Sequence, residues 1–323
     1  LRAPVEPEEV ALNFWITIGL ILVLSAVGLT YEIAAGRVLA PFFGTSLLTW
    51  TAVIATVLAG FSLGSALGGL MAERDRGVAV GNARAALVAT AVLMALSPTI
   101  LALLHAWGAR GTGGMLFSVV VTFFPASVCV TLPSPLLARL AVEARPGREG
   151  SSLGLVLAAG SLGAIFGAIL AGFVALPLIG STATFAACGA MALLCLTLLR
   201  GDAPRGGGRP ERAGHAGPHP VVVIAAAGFV AVAAVAGGAA CRYESGLSCL
   251  HVVREGGEVR LLSDRTVQAA ERLGPNGAPG DAPTLALPYT RWIWARMERD
   301  LGPAPSVLFV GGGGYTLPSR LVA

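Results

Sequence analysis

The chain has 323 residues, of which 55% are hydrophobic and only 12% charged, with a mean hydropathy of +0.76; soluble domains carry about 25% charged residues, so a purely soluble protein is excluded. Intrinsic disorder fails on hydrophobicity, and a disulfide-dense secreted scaffold fails on a cysteine count of 5. The net charge of +4 comes from arginines placed mostly between apolar segments, the pattern of an integral membrane protein whose first partner is the lipid bilayer, and nucleic acid is not an expected partner.

All 22 basic residues are arginine, which removes lysine Schiff-base and lysine-nucleophile chemistry from this chain. The leading tail from Pro4 to Glu9 is acidic and the apolar run behind it is long, so it does not read as a cleaved signal peptide. Leu1 is not a start methionine, and the sequence is expected to begin after processing or after a missing stretch. A membrane-spanning helix needs ~20 mostly apolar residues. Seven segments meet that, at about 13–36, 47–72, 85–107, 115–141, 153–179, 181–199 and 220–240. Together they predict an all-α polytopic membrane domain over residues 1–240, with a Gly-, Pro- and Arg-rich loop at Arg200–Pro220.

Arginine placement sets the expected orientation. Eleven arginines, Arg2, Arg74, Arg76, Arg84, Arg139, Arg145, Arg148, Arg200, Arg205, Arg209 and Arg212, fall on one side of the seven crossings, against Arg37 and Arg110 on the other. A cytoplasmic N-terminus in a bacterial-type inner membrane follows, with residues 241–323 on the outer, periplasmic face. One crossing more or fewer reverses this.

Small residues recur at four-residue spacing at Gly60, Gly64 and Gly68, and again at Gly163, Gly167 and Ala171. Such stripes bring helix backbones close where lipid supplies no hydrophobic drive. They read as packing within one subunit, or as a homodimer seam or a face for another membrane subunit. Glu32 and Arg37 close the first segment at a spacing of five, poor for an intrahelical pair. They read as structural anchors or as contacts to a bound or transported ligand.

Beyond Ala240 charges become frequent and a second domain, 241–323, begins. Cys241–Ser245, Ser248–Arg254 and Val259–Leu262 read as strands of a small meander turning at Gly256-Gly257, followed by Asp264, Gln268 and a loop from Gly274 to Pro283. Tyr289–Leu301 has helical spacing. The apolar run Ser306–Val310 then feeds Gly311, Gly312, Gly313 and Gly314, the way a nucleotide-binding sheet begins, with glycines admitting backbone N–H groups to a ligand. Cys241 and Cys249 are symmetric about Ser245; strands paired around that centre set them opposite each other, within disulfide reach. The competing reading is two free thiols in a cytoplasmic hairpin. His105, His215, His219 and His251 form no evident metal set, and no metal is expected. Cys129, Cys188 and Cys195 read as packing residues of membrane segments.

Several stretches carry a family resemblance. Gly68-Gly69-Leu70-Met71-Ala72-Glu73-Arg74 is similar to the cytoplasmic loop between the second and third helices of major facilitator transporters. Tyr31-Glu32-Ile33, Gly36-Arg37-Val38-Leu39-Ala40-Pro41-Phe42-Phe43-Gly44, Leu132-Pro133-Ser134-Pro135 and Gly160-Ser161-Leu162-Gly163 through Gly167 resemble a family that fuses such a membrane region to a spermidine synthase-like, or aminopropyltransferase, domain. The order meander, helix, strand, glycines fits that domain. The resemblance implies a Rossmann-like fold begun but incomplete here, and decarboxylated S-adenosylmethionine as nucleoside substrate, its aminopropyl group passing to a diamine. It implies that Gln268 contacts the nucleoside with Asp264 beside it, that Gly311 to Gly314 form the cofactor turn, and that Tyr289 stands at the acceptor channel. These last readings compete with ordinary turn and packing roles.

The sequence departs from that family where an acidic residue usually follows three glycines and this chain has Gly314 and Tyr315. In the family the ribose-holding acid and the catalytic aspartates come after the point matching Ala323, so no catalytic residue is assigned. The sequence is read as a fragment of a longer enzyme or as a catalytically inactive structural subunit of a membrane complex of respiratory or photosynthetic type. A transporter is disfavoured, because seven helices fall short of two six-helix halves.

Overall fold

The computed structural model describes residues 7–199, 217–236, 241, 243–245, 248–274, 284–302, 305–311 and 313–322, with side chains from residue 14 onward. Gly312, His215 and the loops at 200–216 and 275–283 lie outside the described residues. The chain divides into two compact units, one of Leu1–Leu39 with Thr45–Ala240, the other of Ala40–Gly44 with Cys241–Ala323.

The first unit is helical: α1 Pro7–Phe43, α2 Leu47–Ala72, α3 Arg76–Ala106, α4 Gly111–Thr131, α5 Ser134–Glu143, α6 Glu149–Ile169 running through a π-helical stretch Leu170–Ala175 into α7 Leu176–Leu198, and α8 Pro220–Ala236. α1 outlasts its expected end and carries Pro41, stopping at Gly44, whose φ of +80° and N–H bond to Ala40 O (2.9 Å) form a left-handed cap. Glu32 and Arg37 thus lie inside the helix. α2 fills the expected segment 47–72, so Gly68–Ala72, the stretch similar to a facilitator loop, is its last part. The expected segment 115–141 breaks into α4 and α5 around Leu132-Pro133, where proline's missing N–H interrupts the ladder.

Among the described residues five segments are long and apolar enough to cross a membrane, against the seven expected of the chain: Phe14–Phe43, Leu47–Ala72, Arg76–Ala106, Gly111–Glu143 and Glu149–Leu198. The last has 50 residues, about 75 Å of helix against a hydrocarbon core of ~30 Å, and it folds back on itself. A Cβ on Gly167 would overlap Ala26 O, while Cys188 Sγ lies 4.0 Å from the neighbouring Val27 O. Those two residues would stand roughly 31 Å apart on a straight helix. The reversal is at Gly180, with φ 76° and ψ 175°, backbone that only glycine adopts without strain. The described part of α8 is 17 residues, short of a full span.

The small-residue stripes close against helices of the same chain. A Cβ on Gly60 would sit 2.6 Å from Ser127 Cβ, and on Gly64 and Gly68 it would overlap Val128 O and Leu132 O of the segment after α4's midpoint. Gly163 and Gly167 stand in the same way on Leu22 O and Ala26 O of α1. Four helices, α1, α3, α4 and α7, meet at a fully buried aromatic layer: the Tyr31 ring is 5.9 Å from Phe123 and 5.2 Å from Phe185, both edge-on. The Tyr31 hydroxyl satisfies itself on Ser97 Oγ (2.8 Å), which in turn donates to Leu93 O. Phe173, Phe117 and Leu157 point outward and exposed, a surface suited to lipid rather than water.

The second unit holds an antiparallel sheet in the order β1 Tyr243–Glu244, β2 Cys249–Glu255, β3 Glu258–Ser263, β4 Thr266–Arg272, then α9 Pro288–Asp300 and α10 Thr316–Val322. Gly256 and Gly257 both have positive φ, as a two-residue hairpin between Glu255 and Glu258 requires. β4 was not expected. Ser306–Val310, expected as the first strand of a parallel sheet, forms no ladder among the described residues, and Leu308 and Val310 stand exposed.

Candidate functional site

β3 and β4 pair in register from Glu258↔Arg272 to Leu261↔Ala269, then slip to Leu262↔Val267. Gln268 is the extra residue, the bulged position of β4. A bulge frees a residue from the ladder and re-aims it. Here the freed Gln268 carbonyl accepts the Tyr289 hydroxyl from the first turn of α9 at 3.3 Å. The glycine turn comes to the same place. A Cβ on Gly313 would sit 3.0 Å from Gln268 O, and a Cβ on Gly314 would overlap Ala269 Cβ, so the turn closes on β4 only because those side chains are absent. Gly311 and Gly313 take φ of +78° and +51°, and Tyr315 follows at +58°. Gln268, Tyr289, Gly311, Gly313 and Gly314 are all exposed, which leaves an amide, a phenol and backbone N–H groups on one open surface.

Asp264 is not part of this group. It occupies the tight β3–β4 turn with φ +54°, outside β4, whose Gln268 comes two residues after the first paired residue, Thr266. Its Oδ1 accepts the Cys249 N–H (3.0 Å) and its own N–H donates to Cys249 O (2.7 Å), so it continues the β2–β3 ladder.

Cys241 and Cys249 form a disulfide, with Cα atoms 5.5 Å apart. They do not face each other in the ladder. Glu244 pairs with Cys249 and Tyr243 with Leu250, because the Ser245 N–H donates to Ser248 O (2.9 Å) and the Ser248 N–H donates to Ser245 Oγ (3.0 Å), closing the turn over 245–248. Cys241 lies ahead of β1. His251, grouped by sequence with the other histidines, places Nε2 2.8 Å from Cys249 Sγ. Its position two residues after Cys249 on one strand, hence on the same face, was the signal. A further cleft of about 530 Å³ between α9 and α10 is lined by Trp294, Met297, Glu298, Pro305 and Arg320, with no residue singled out from sequence.

No family model and no solved structure matches the chain. It is 29% identical over 184 residues to polyamine aminopropyltransferase 2 of Streptomyces coelicolor, a match covering 55% of this chain and 32% of that protein. The chain thus spans about a third of that relative's length. The match, distant and partial, supports a spermidine synthase-like relationship.

Proposed function

We propose that the chain is a membrane-anchored spermidine synthase-like protein, and that the surface of Gln268, Tyr289 and the glycine turn receives decarboxylated S-adenosylmethionine. The observation that carries this is the bulge at Gln268, which gathers three separately named features, glutamine, tyrosine and glycines, at one point of β4. In the reaction implied by the relationship, a diamine nitrogen attacks the aminopropyl carbon bonded to the sulfonium. The C–S bond breaks with its electron pair going to sulfur, methylthioadenosine leaves, and the ammonium formed loses a proton to a base. The residues described here hold and orient the nucleoside; none of them is assigned as that base.

Calorimetric titration of the full chain in mild detergent with methylthioadenosine tests the reading. Binding is expected to weaken roughly 5- to 10-fold in Gln268→Ala, the worth of about one hydrogen bond. No heat at millimolar ligand overturns it. A structural subunit is the second reading, supported by the Cys241–Cys249 disulfide, since disulfides persist where thiols are oxidised and not in the cytosol that holds nucleoside substrates. It expects a complex much larger than the 32.7 kDa chain on extraction in mild detergent.

A further inference from the structure

Cys241, Cys249 and His251 offer two sulfurs and one imidazole nitrogen, all within 4.8 Å of one another. Both cysteines are buried, at 4% and 2% exposure, while His251 is partly open to solvent. Cys249 is pinned at both backbone polar atoms by Asp264, so one ligand residue needs no ordering before it binds. A disulfide sulfur carries no charge and is a poor ligand, whereas a thiolate is a strong one. Two thiolates and an imidazole match a borderline-soft divalent cation that takes four ligands tetrahedrally, with water completing the set on the imidazole's open side.

We propose that the reduced form of Cys241 and Cys249, together with His251, is a three-ligand site for a thiophilic divalent cation of the Zn2+ kind, and that the disulfide is the closed state of that site. A phosphine reductant donates two electrons to the disulfide, water supplies its two protons and an oxygen to the phosphine, and two thiols result. Zn2+ then displaces the thiol protons to solvent. At Zn–S distances of ~2.3 Å the sulfurs of a tetrahedral centre stand ~3.8 Å apart, which side-chain rotation reaches across the observed Cα spacing of 5.5 Å. A small-molecule disulfide takes the two electrons back and leaves as two thiolates, while the Cys241–Cys249 bond re-forms and the metal is released. The site is independent of the nucleoside surface and of the reading built on it.

Equilibrium dialysis of the full chain in detergent against Zn2+, with metal analysis, provides the test, run on oxidised protein and on anaerobic protein treated with phosphine. A Cys129→Ser/Cys188→Ser/Cys195→Ser background removes the remaining thiols. The reduced chain is expected to hold one Zn2+ and the oxidised chain none. His251→Ala is expected to weaken binding on the order of 10-fold or more, and Cys249→Ser to abolish it. Co2+ on the reduced chain is expected to give a thiolate-to-metal charge-transfer band, a readout that needs no variant. Equal zinc in oxidised and reduced chains, no zinc in either, or unchanged binding in His251→Ala overturns the proposal.

Discussion

At Gly314 the missing side chain is what lets the glycine turn reach the sheet, since a methyl group there would overlap Ala269 Cβ, a group with no freedom to swing aside. Ala269 is itself buried at 6% exposure, held between β3 and the turn. Gly314→Ala is therefore expected to push the turn off β4 at a cost of about 1–3 kcal/mol, the range for overpacking a close contact. Amide hydrogen exchange by mass spectrometry reads it locally: faster exchange over β4 and α10, with β2 and the membrane helices unchanged. Unaltered exchange over β4 would mean that the turn does not rest on the sheet. The four glycines were legible in the sequence as a turn, but their contact was not, because the bulge that exposes Gln268 depends on how β3 and β4 register and leaves no mark in composition. The cysteine pair shows the opposite case. Symmetry about Ser245 points to Cys241 and Cys249, yet the pairs Tyr243↔Leu250 and Glu244↔Cys249 centre the ladder between positions 246 and 247, where the Ser248 N–H donates to the Ser245 side chain.

Elements came through from sequence in proportion to their length and apolar content. The long helices of the first unit were visible as apolar runs, with their ends displaced where Gly44 or Pro133 decides the stop. β4 was invisible: Thr266-Val267-Gln268-Ala269-Ala270-Glu271-Arg272 has two alanines where β-branched residues would signal a strand, and pairing with β3 overrides that weak preference. Its end is fastened electrostatically. Glu258 opens β3 directly opposite Glu255 of β2, a like-charge pair, and directly opposite Arg272 of β4. Its carboxylate accepts from Arg260 (2.9 Å) and Arg272 (3.2 Å), and these guanidiniums, Arg260 first, hold its pKa below the ordinary carboxylate value. The folded protein therefore binds this proton more weakly than the unfolded chain does. The contribution is complete above the ordinary carboxylate pKa and is lost as pH falls through the lowered, folded value. Glu258→Gln is expected to lower the melting temperature of the second unit slightly at neutral pH, a few degrees at most for an exposed pair, and to converge with the parent in acid. A difference that persists at pH 2 would assign the effect to shape rather than charge.

The whole molecule turns on a parity. On the bias of eleven arginines against two the N-terminus is expected in the cytoplasm, and the side on which residues 241–323 would emerge depends on the number of crossings before them. Counting Glu149–Leu198 as one span would reverse that side; the fold-back at Gly180, where Gly167 and Cys188 meet adjacent residues of α1, is what a count of two requires. The other step is α8, whose 17 described residues reach about 26 Å against a hydrocarbon core of ~30 Å. Alkaline phosphatase, active only after export, is accordingly expected to be inactive when fused after Arg212 and active when fused after Gly274. That outcome puts the disulfide in an oxidising compartment and the nucleoside surface away from the cytosol, which favours the structural-subunit reading. Inactive fusions at both points would mean that α8 does not cross. The second unit would then share the arginine-rich side with the cytosolic nucleosides, Cys241 and Cys249 would be held as thiols beside His251, and the same reporter experiment would favour both the aminopropyl-transfer reading and an open metal site.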